Sequence, residues 1–466
     1  MLRLVFAIMF LVSLSSFDEL QAMDWKSDVR AQLSRFGSQV GLSVRDLNGE
    51  ELFQINGDRS FVPASTAKVI SSACVLREMG LASSIKTEFG YTGDLEGGVI
   101  KGDLVIRGGG DPSYVIEDLK QDIEILQKVF GIREIRGQLV FDLSFLGVDK
   151  LTLNDDFAGD DGRSFAVELT ALPFNHHSFS VWVWPEGARA RVQHYPPEAL
   201  NPKISNQVKV VSGSGQAVSV QYNRETQTLE VSGTIGRDAP ARIIYRAVPD
   251  IYQSFVKVFQ RVWAEGGGKW SSAQYKLMEK PATYKRLWVH ESRPVSRIFL
   301  DINKLSTNFG AELLSLVAAE KKFGRPATLS KAQQLIKECL KDWEVPSAKV
   351  ELENASGLSR KSKVTPSAFT EILSKLRSEE FFPELLSSLS VLGQDGTTRS
   401  RLSEYSGRAR LKTGSIKGVR SIAGFLDPQS SRPLAFALIF NQTSASDSDL
   451  KSIEDKVIQA VLRQSR

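Results

Sequence analysis

The stretch FVPASTAKVISSACVLREMG, residues 61–80, places Ser65 and Lys68 three apart at the head of an apolar-periodic segment that Gly80 closes. A glycine just past the last periodic residue is a helix stop, so the pattern predicts a helix with both polar side chains near its N-terminus. Positions i and i+3 share a helix face about 5–6 Å apart, which brings the lysine nitrogen towards the hydroxyl. A serine is a weak nucleophile until a base takes its proton. Lysine can take it only as the free amine, so burial or a neighbouring cation has to lower its pKa. The helix N-terminus also offers free backbone N–H groups to a developing oxyanion. Taken alone, Ser-x-x-Lys is common by chance, and a solvated polar turn is the default reading.

Other chemistries find less support. The four histidines, His176, His177, His194 and His290, form no His-Glu-x-x-His pattern, so no metal site is expected. His176 and His177 follow a Pro-Phe-Asn turn and are read as structural or surface residues. No Gly-x-Ser-x-Gly elbow occurs. GGGKW, at residues 266–270, lacks the flanking residues of a phosphate-binding loop, and GGGDP, at 108–112, reads as a turn after a strand. No cofactor is expected.

The chain has 466 residues, which favours two or three domains. Its opening, MLRLVFAIMFLVSLSSFDELQA, runs from a basic residue through an apolar run, Leu4 to Leu14, into a polar stretch. The run is too short to span a bilayer and has the order of a secretory signal peptide over residues 1–22. Export to the periplasm or cell envelope follows as an expectation. The net charge is +5; removing residues 1–22, which carry Arg3 against Asp18 and Glu19, leaves +6. That suits at most peripheral association with an anionic wall or membrane, and the absence of basic blocks interleaved with aromatics argues against nucleic acid. Two cysteines are too few for a disulfide framework. Cys74 falls in the apolar pattern and is read as a small buried hydrophobe, with a Cys74–Cys339 bridge left open.

QVGLSVRDLNGEELFQIN, residues 39–56, alternates apolar and polar residues around Asn48-Gly49, a strong hairpin signal. From residue 88 to 285 short alternating runs are separated by Gly, Pro and Asp, the texture of a β-rich region. Helical periodicity returns from residue 290, and strands near 408–440 precede a final helix from Asp447. The expected organisation is one α+β domain, residues 23–87 plus 286–466, split by a β-rich insertion, 88–285. Its sheet pairs strands near 40–55 with those near 408–440.

Two further stretches change the weight of Ser65 and Lys68. LSTNFG, residues 305–310, puts Ser306 and Asn308 at a break between helical segments. LKTGSI, residues 411–416, puts Lys412, Thr413 and Gly414 on a strand, where the glycine allows another backbone to approach. Ser-x-x-Lys, Ser-x-Asn and Lys-Thr-Gly, in that order, are the signature of serine β-lactamases and penicillin-binding proteins. The long insertion between the first two motifs resembles the penicillin-binding protein 4-type D-alanyl-D-alanine carboxypeptidase/endopeptidase family. So do GDLVIRGGGDPSY (102–114), ASGLSRKSKVTP (355–366) and GQDGTTRSRL (393–402).

The resemblance implies a penicillin-binding/β-lactamase-like transpeptidase domain, an antiparallel sheet flanked by helices, with a small subdomain nested within 186–245. It implies Ser65 as nucleophile, Lys68 as base, and Ser306, Asn308 and Lys412 as further catalytic residues. Thr413, Gly414 and Ser415 would bind substrate, with the Ser65 and Ser415 N–H groups as the oxyanion hole. Asp161, or its neighbour Asp160, is offered as a contact to the substrate's amino group; a solvated acidic turn is the competing reading. The implied partners are peptidoglycan stem peptides and β-lactams. The sequence departs from the family's pattern at Ala355, where glycine is usual, and near Gly159, where a tryptophan is absent. A serine β-lactamase and a non-catalytic peptide-binding protein are the alternatives.

Overall fold

The computed structural model describes residues 25–146, 168–197 and 200–464. Residues 1–22, Gly159, Asp160 and Asp161 lie outside them. The chain divides into two compact units: Met1–Ala82 with Ser296–Ala311 and Ala332–Arg466, and Ser83–Val295 with Glu312–Lys331.

In the first unit helix α1, residues 25–33, leads into β1 (Val40–Asp46) and β2 (Glu51–Ile55), joined at the Asn48-Gly49 turn. The sheet is completed by β3 (Ser390–Val391), β4 (Ala409–Ile416), β5 (Val419–Leu426) and β6 (Leu434–Asn441). The strand order is β2-β1-β6-β5-β4-β3, antiparallel throughout. Strands from the two ends of the chain therefore pair directly, with Leu42 opposite Leu438. Every residue of β5 is buried, as expected of a strand covered on both faces. On one face Leu42, Val44, Ile422 and Leu438 pack with Val29 and Leu33 of α1 and with Val457 and Val461 of α8 (Asp447–Gln464). On the other, Ser43 of β1 meets Thr370 of α6 (Pro366–Leu376), Oγ to Oγ1 at 2.7 Å.

The helices that matter for chemistry are α2 (Ala67–Met79), α3 (Val295–Leu305), α4 (Asn308–Phe323), α5 (Leu329–Asp342) and α7 (Phe382–Ser388). Cys74 of α2 is not a free thiol: it is bonded to Cys339 of α5, with Cα atoms 5.7 Å apart. This corrects the reading of Cys74 as a plain buried hydrophobe. Tertiary packing brings the two α-carbons within the range a disulfide spans, although 265 positions separate them in sequence. Closing so long a loop constrains the unfolded chain.

The second unit holds three sheets of six, five and four strands among the described residues. The six-stranded sheet is built from residues 178–247 and has its own core around Phe179, Val181, Val183, Leu229 and Val231. The helices Ile116–Glu124 and Ile251–Glu265 pack on the other two sheets, with Phe141, Phe255, Phe259 and Trp263 at the centre.

His177 is fully buried beside that core, its Nδ1 2.8 Å from the Glu168 carbonyl. Burial pushes its pKa down to about 4. Above pH 6.5 neither the folded nor the unfolded chain protonates this ring. Between 6.5 and about 4 the unfolded chain takes up a proton that the buried ring refuses. His177 therefore destabilises the fold as pH falls through that window, by up to roughly 3 kcal/mol. Denaturant unfolding of wild type and a His177→Gln variant is expected to show the wild-type advantage shrinking from pH 7.5 to pH 4.5. A difference independent of pH contradicts this.

Candidate active site

Ser65 is held one turn ahead of α2, in the short 3-10 turn Ala64–Thr66. The turn follows Pro63, and Ala64 adopts φ 48°, a left-handed conformation that costs a non-glycine residue energy and is common at functional sites. It is pinned from below. Thr66 Oγ1 and Ser421 Oγ of β5 both donate to the Pro63 carbonyl, at 2.7 and 2.6 Å. The preceding residue, Val62, exchanges two hydrogen bonds with the Asn441 side chain at the end of β6.

Lys68, in the first turn of α2, is fully buried. Its Nζ lies 3.0 Å from Ser65 Oγ, 2.7 Å from Asn308 Oδ1 and 2.7 Å from the Ser356 carbonyl. Asn308 opens α4, two residues after Ser306, which bridges α3 and α4 with φ 60°. This break lets two side chains so close in sequence meet two different lysines. α3 is fixed from behind by Asn303, which accepts from Ser72 Oγ of α2 and donates to Ser388 Oγ of α7.

Lys412 of β4 is also fully buried. Its Nζ donates to Ser306 Oγ at 2.8 Å and to the Thr413 carbonyl at 2.8 Å. Burial, and then the neighbouring Lys68, hold this amine well below the ordinary lysine range. Two amines that repel each other in a desolvated site favour one positive charge over two.

Gly414 explains how β4 comes so close. A Cβ there would stand 2.8 Å from the Ser65 nitrogen and 3.0 Å from the Pro63 oxygen. Any other residue would press on the backbone of the Ser65 turn. Gly357 plays the same part for the loop after Ser356: it has φ 73°, and a Cβ would fall 1.9 Å from the Ala64 oxygen. Ser71 Oγ of α2 donates to the Ala355 carbonyl at 2.7 Å and anchors the loop. Thr413 is half-buried and donates to Thr397 Oγ1 at 2.8 Å. Ser415, one residue beyond Gly414, is exposed.

Ser65, Lys68, Ser306, Asn308, Lys412, Thr413 and Gly414 thus form one hydrogen-bonded and packed cluster. Asp161 lies outside the described residues. Two participants escaped the sequence reading: Ser356, which contributes a backbone carbonyl, and Thr397, which supports Thr413. Both sit in the family-like segments 355–366 and 393–402, which marked the neighbourhood but neither residue.

Residues 27–464 match the D-Ala-D-Ala carboxypeptidase 3 (S13) family. This chain belongs to that family. The S13 assignment makes it a peptidase, and relatives agree. It is 26% identical to the D-alanyl-D-alanine carboxypeptidase of Actinomadura sp., over 87% of this chain and 78% of the relative. It is 25% identical to the D-alanyl-D-alanine carboxypeptidase DacB of Haemophilus influenzae, over 93% of this chain and 91% of the relative. Among solved structures, penicillin binding protein 4 from Haemophilus influenzae superposes with a TM-score of 0.76 at 22% identity, covering 93% of this chain and 99% of that one. A peptidoglycan endopeptidase from Bdellovibrio bacteriovorus shares the fold more loosely, with a TM-score of 0.52 at 14% identity, covering 91% and 92%. The expected penicillin-binding α+β fold is the one this S13 chain adopts.

Proposed function

We propose that this S13 peptidase is exported and cleaves D-Ala-containing bonds of peptidoglycan stem peptides through an acyl-enzyme on Ser65. The observation that carries the reading is the set of three partners around Lys68 Nζ. Asn308 Oδ1 and the Ser356 carbonyl can only accept hydrogen bonds, whereas Ser65 Oγ has a proton to give. A neutral amine meets this set with its two N–H groups on the acceptors and its lone pair on the serine hydroxyl. Burial and the repulsion between the two amines favour one positive charge in the site over two, and the mechanism requires Lys68 to be the uncharged one.

In the first step Ser65 Oγ attacks the carbonyl carbon of the penultimate D-Ala as Lys68 takes its proton. The backbone N–H groups of Ser65 and Ser415 stabilise the oxyanion. The C–N bond breaks, and the leaving amine takes a proton delivered through Lys68 and Ser306. Water then attacks the ester with Lys68 again as base, releasing the peptide acid and restoring the hydroxyl. Thr413, held by Thr397, binds the terminal carboxylate. Where the leaving amine is instead that of a cross-link, the same steps open it. In this reading Ser65 acts from the turn just before α2, Lys68 from the first turn of α2, Ser306 and Asn308 from the break between α3 and α4, and Lys412 from β4.

Relatives support the covalent route. One solved form of the Haemophilus influenzae protein is a complex with a β-lactam, and a Bdellovibrio bacteriovorus endopeptidase has been solved acylated by penicillin G.

Digestion of purified muropeptides, read by mass spectrometry, tests the proposal. Loss of one D-Ala from pentapeptide monomers or conversion of cross-linked dimers to monomers is expected, either one sufficing; the absence of both products contradicts the reading. A Gly414→Ala variant is expected to acylate about 100-fold more slowly, because the added methyl displaces the Ser65 turn. Stopped-flow acylation by a chromogenic β-lactam checks this, and a wild-type rate would show that the close approach of β4 does not position the serine.

A further inference from the structure

The six-stranded sheet of the second unit hides one face and shows the other. Along Ser178–Glu186 the residues Phe179, Val181 and Val183 point into the core, so Ser180, Trp182 and Trp184 point outward. On one side the strand Arg189–Tyr195 places Tyr195 opposite Ser180 and Gln193 opposite Trp182. On the other side Arg242–Ala247 places Tyr245 opposite Ser180 and Ile243 opposite Trp182. Four aromatic side chains therefore share one outward face of three neighbouring strands. Trp182 is 41% exposed, Tyr195 46% and Tyr245 56%. The Trp182 indole is not loose, since its Nε1 donates to Ser180 Oγ at 2.9 Å.

Large aromatics left in water on a well-packed sheet mark a binding surface. The rings together expose roughly 300–400 Å², taking about 150–250 Å² as a full aromatic side chain. That is well short of the roughly 800 Å² per partner that a stable protein interface buries. A narrow ligand fits better than a second copy. Polar groups alternate with the rings at strand spacing, about 4.8 Å: Ser180 lies between two tyrosines, and Gln193 lies beside Trp182. That alternation matches a pyranose chain, whose C–H faces pack on rings while its hydroxyl and acetamido groups take hydrogen bonds. The charge also fits. The acid on this face, Glu186, stands at its edge 3.6 Å from Arg191, with Arg189 opposite it, so the face suits a neutral polymer carrying acidic substituents.

We propose that this face binds the glycan strand of peptidoglycan, a β-linked chain of N-acetylated amino sugars, and so holds the polymer by a part other than the stem peptide. The choice of polymer rests on the function proposed above; the sugar-binding face rests on the sheet itself.

The test uses the full mature chain and a soluble β-1,4-linked N-acetylglucosamine tetrasaccharide, followed by tryptophan fluorescence and calorimetry. Wild type is expected to bind, and Trp182→Ala and Tyr245→Ala each to weaken binding about five- to tenfold. Both variants should hydrolyse a short soluble D-Ala-D-Ala peptide at the wild-type rate and intact sacculi more slowly. No binding by wild type, or equal binding by the variants, overturns the proposal. So does sedimentation showing a dimer that Trp182→Ala dissociates, which would assign the face to a second copy. If the short peptide is not hydrolysed at all, the peptidase reading fails while the saccharide measurement still decides this face.

Discussion

A Ser65→Ala variant is expected to lose hydrolysis of D-Ala-D-Ala peptides by a factor on the order of 10⁴ or more, with the fold unchanged. The proposed reaction needs an oxygen that can be acylated at this position, and alanine supplies none. The neighbouring hydroxyls do not substitute for it. Thr66 Oγ1 is buried and spent on the Pro63 carbonyl, and Ser306 Oγ receives the Lys412 amine. Removing one hydroxyl from a half-buried side chain leaves the Ala64–Thr66 turn, the Pro63 anchor and the disulfide in place. Unfolding curves of variant and wild type are therefore expected to superpose closely, while release of D-Ala, read by a coupled assay, drops to background. Substantial D-Ala release by the variant would remove Ser65 from the chemistry.

Replacing Lys68 by Ala is expected to slow acylation by about 10²–10⁴-fold, the usual worth of a positioned general base. The loss should appear in the acylation step rather than in binding, because no other described base approaches Ser65 Oγ as Lys68 does. The change also strips a partner from Asn308 Oδ1 and from the Ser356 carbonyl, so a modest fall in stability accompanies it. Lys68→Arg separates the two effects. A guanidinium keeps donors on the acceptors but stays protonated, so stability should recover while acylation stays slow. A Lys68→Arg enzyme that acylates at the wild-type rate at neutral pH would show that the lysine acts through charge alone.

Most of the cluster could be read from sequence because each of its three motifs is local. Ser65 with Lys68, Ser306 with Asn308, and Lys412 with Thr413 and Gly414 are each set by one helix turn, one helix break or one strand. Their order then identified the fold, and the hairpin at Asn48-Gly49 and the strands near 408–440 placed the sheet. The turn around Ser65 was less visible. The pattern suggested a helix already underway at Ser65, whereas Pro63 and the left-handed Ala64 delay α2 to Ala67. Ser356 was hidden because it acts through a carbonyl, which carries no side-chain signal. The Cys74–Cys339 bond was hidden because no local pattern reports on a partner 265 positions away. The outward row of Trp182, Trp184, Tyr195 and Tyr245 needed the cross-strand register before four scattered aromatics became one face.

The hydroxyl of residue 65, deprotonated by the amine of residue 68, is the atom proposed to become acylated. Peptide mapping after brief exposure to penicillin G reads that atom's address directly. Trypsin releases residues 60–68 as SFVPASTAK, and the account predicts this peptide heavier by one intact penicillin, with fragmentation placing the mass on Ser65. An adduct on any other peptide, or the same labelling in Ser65→Ala, would contradict it.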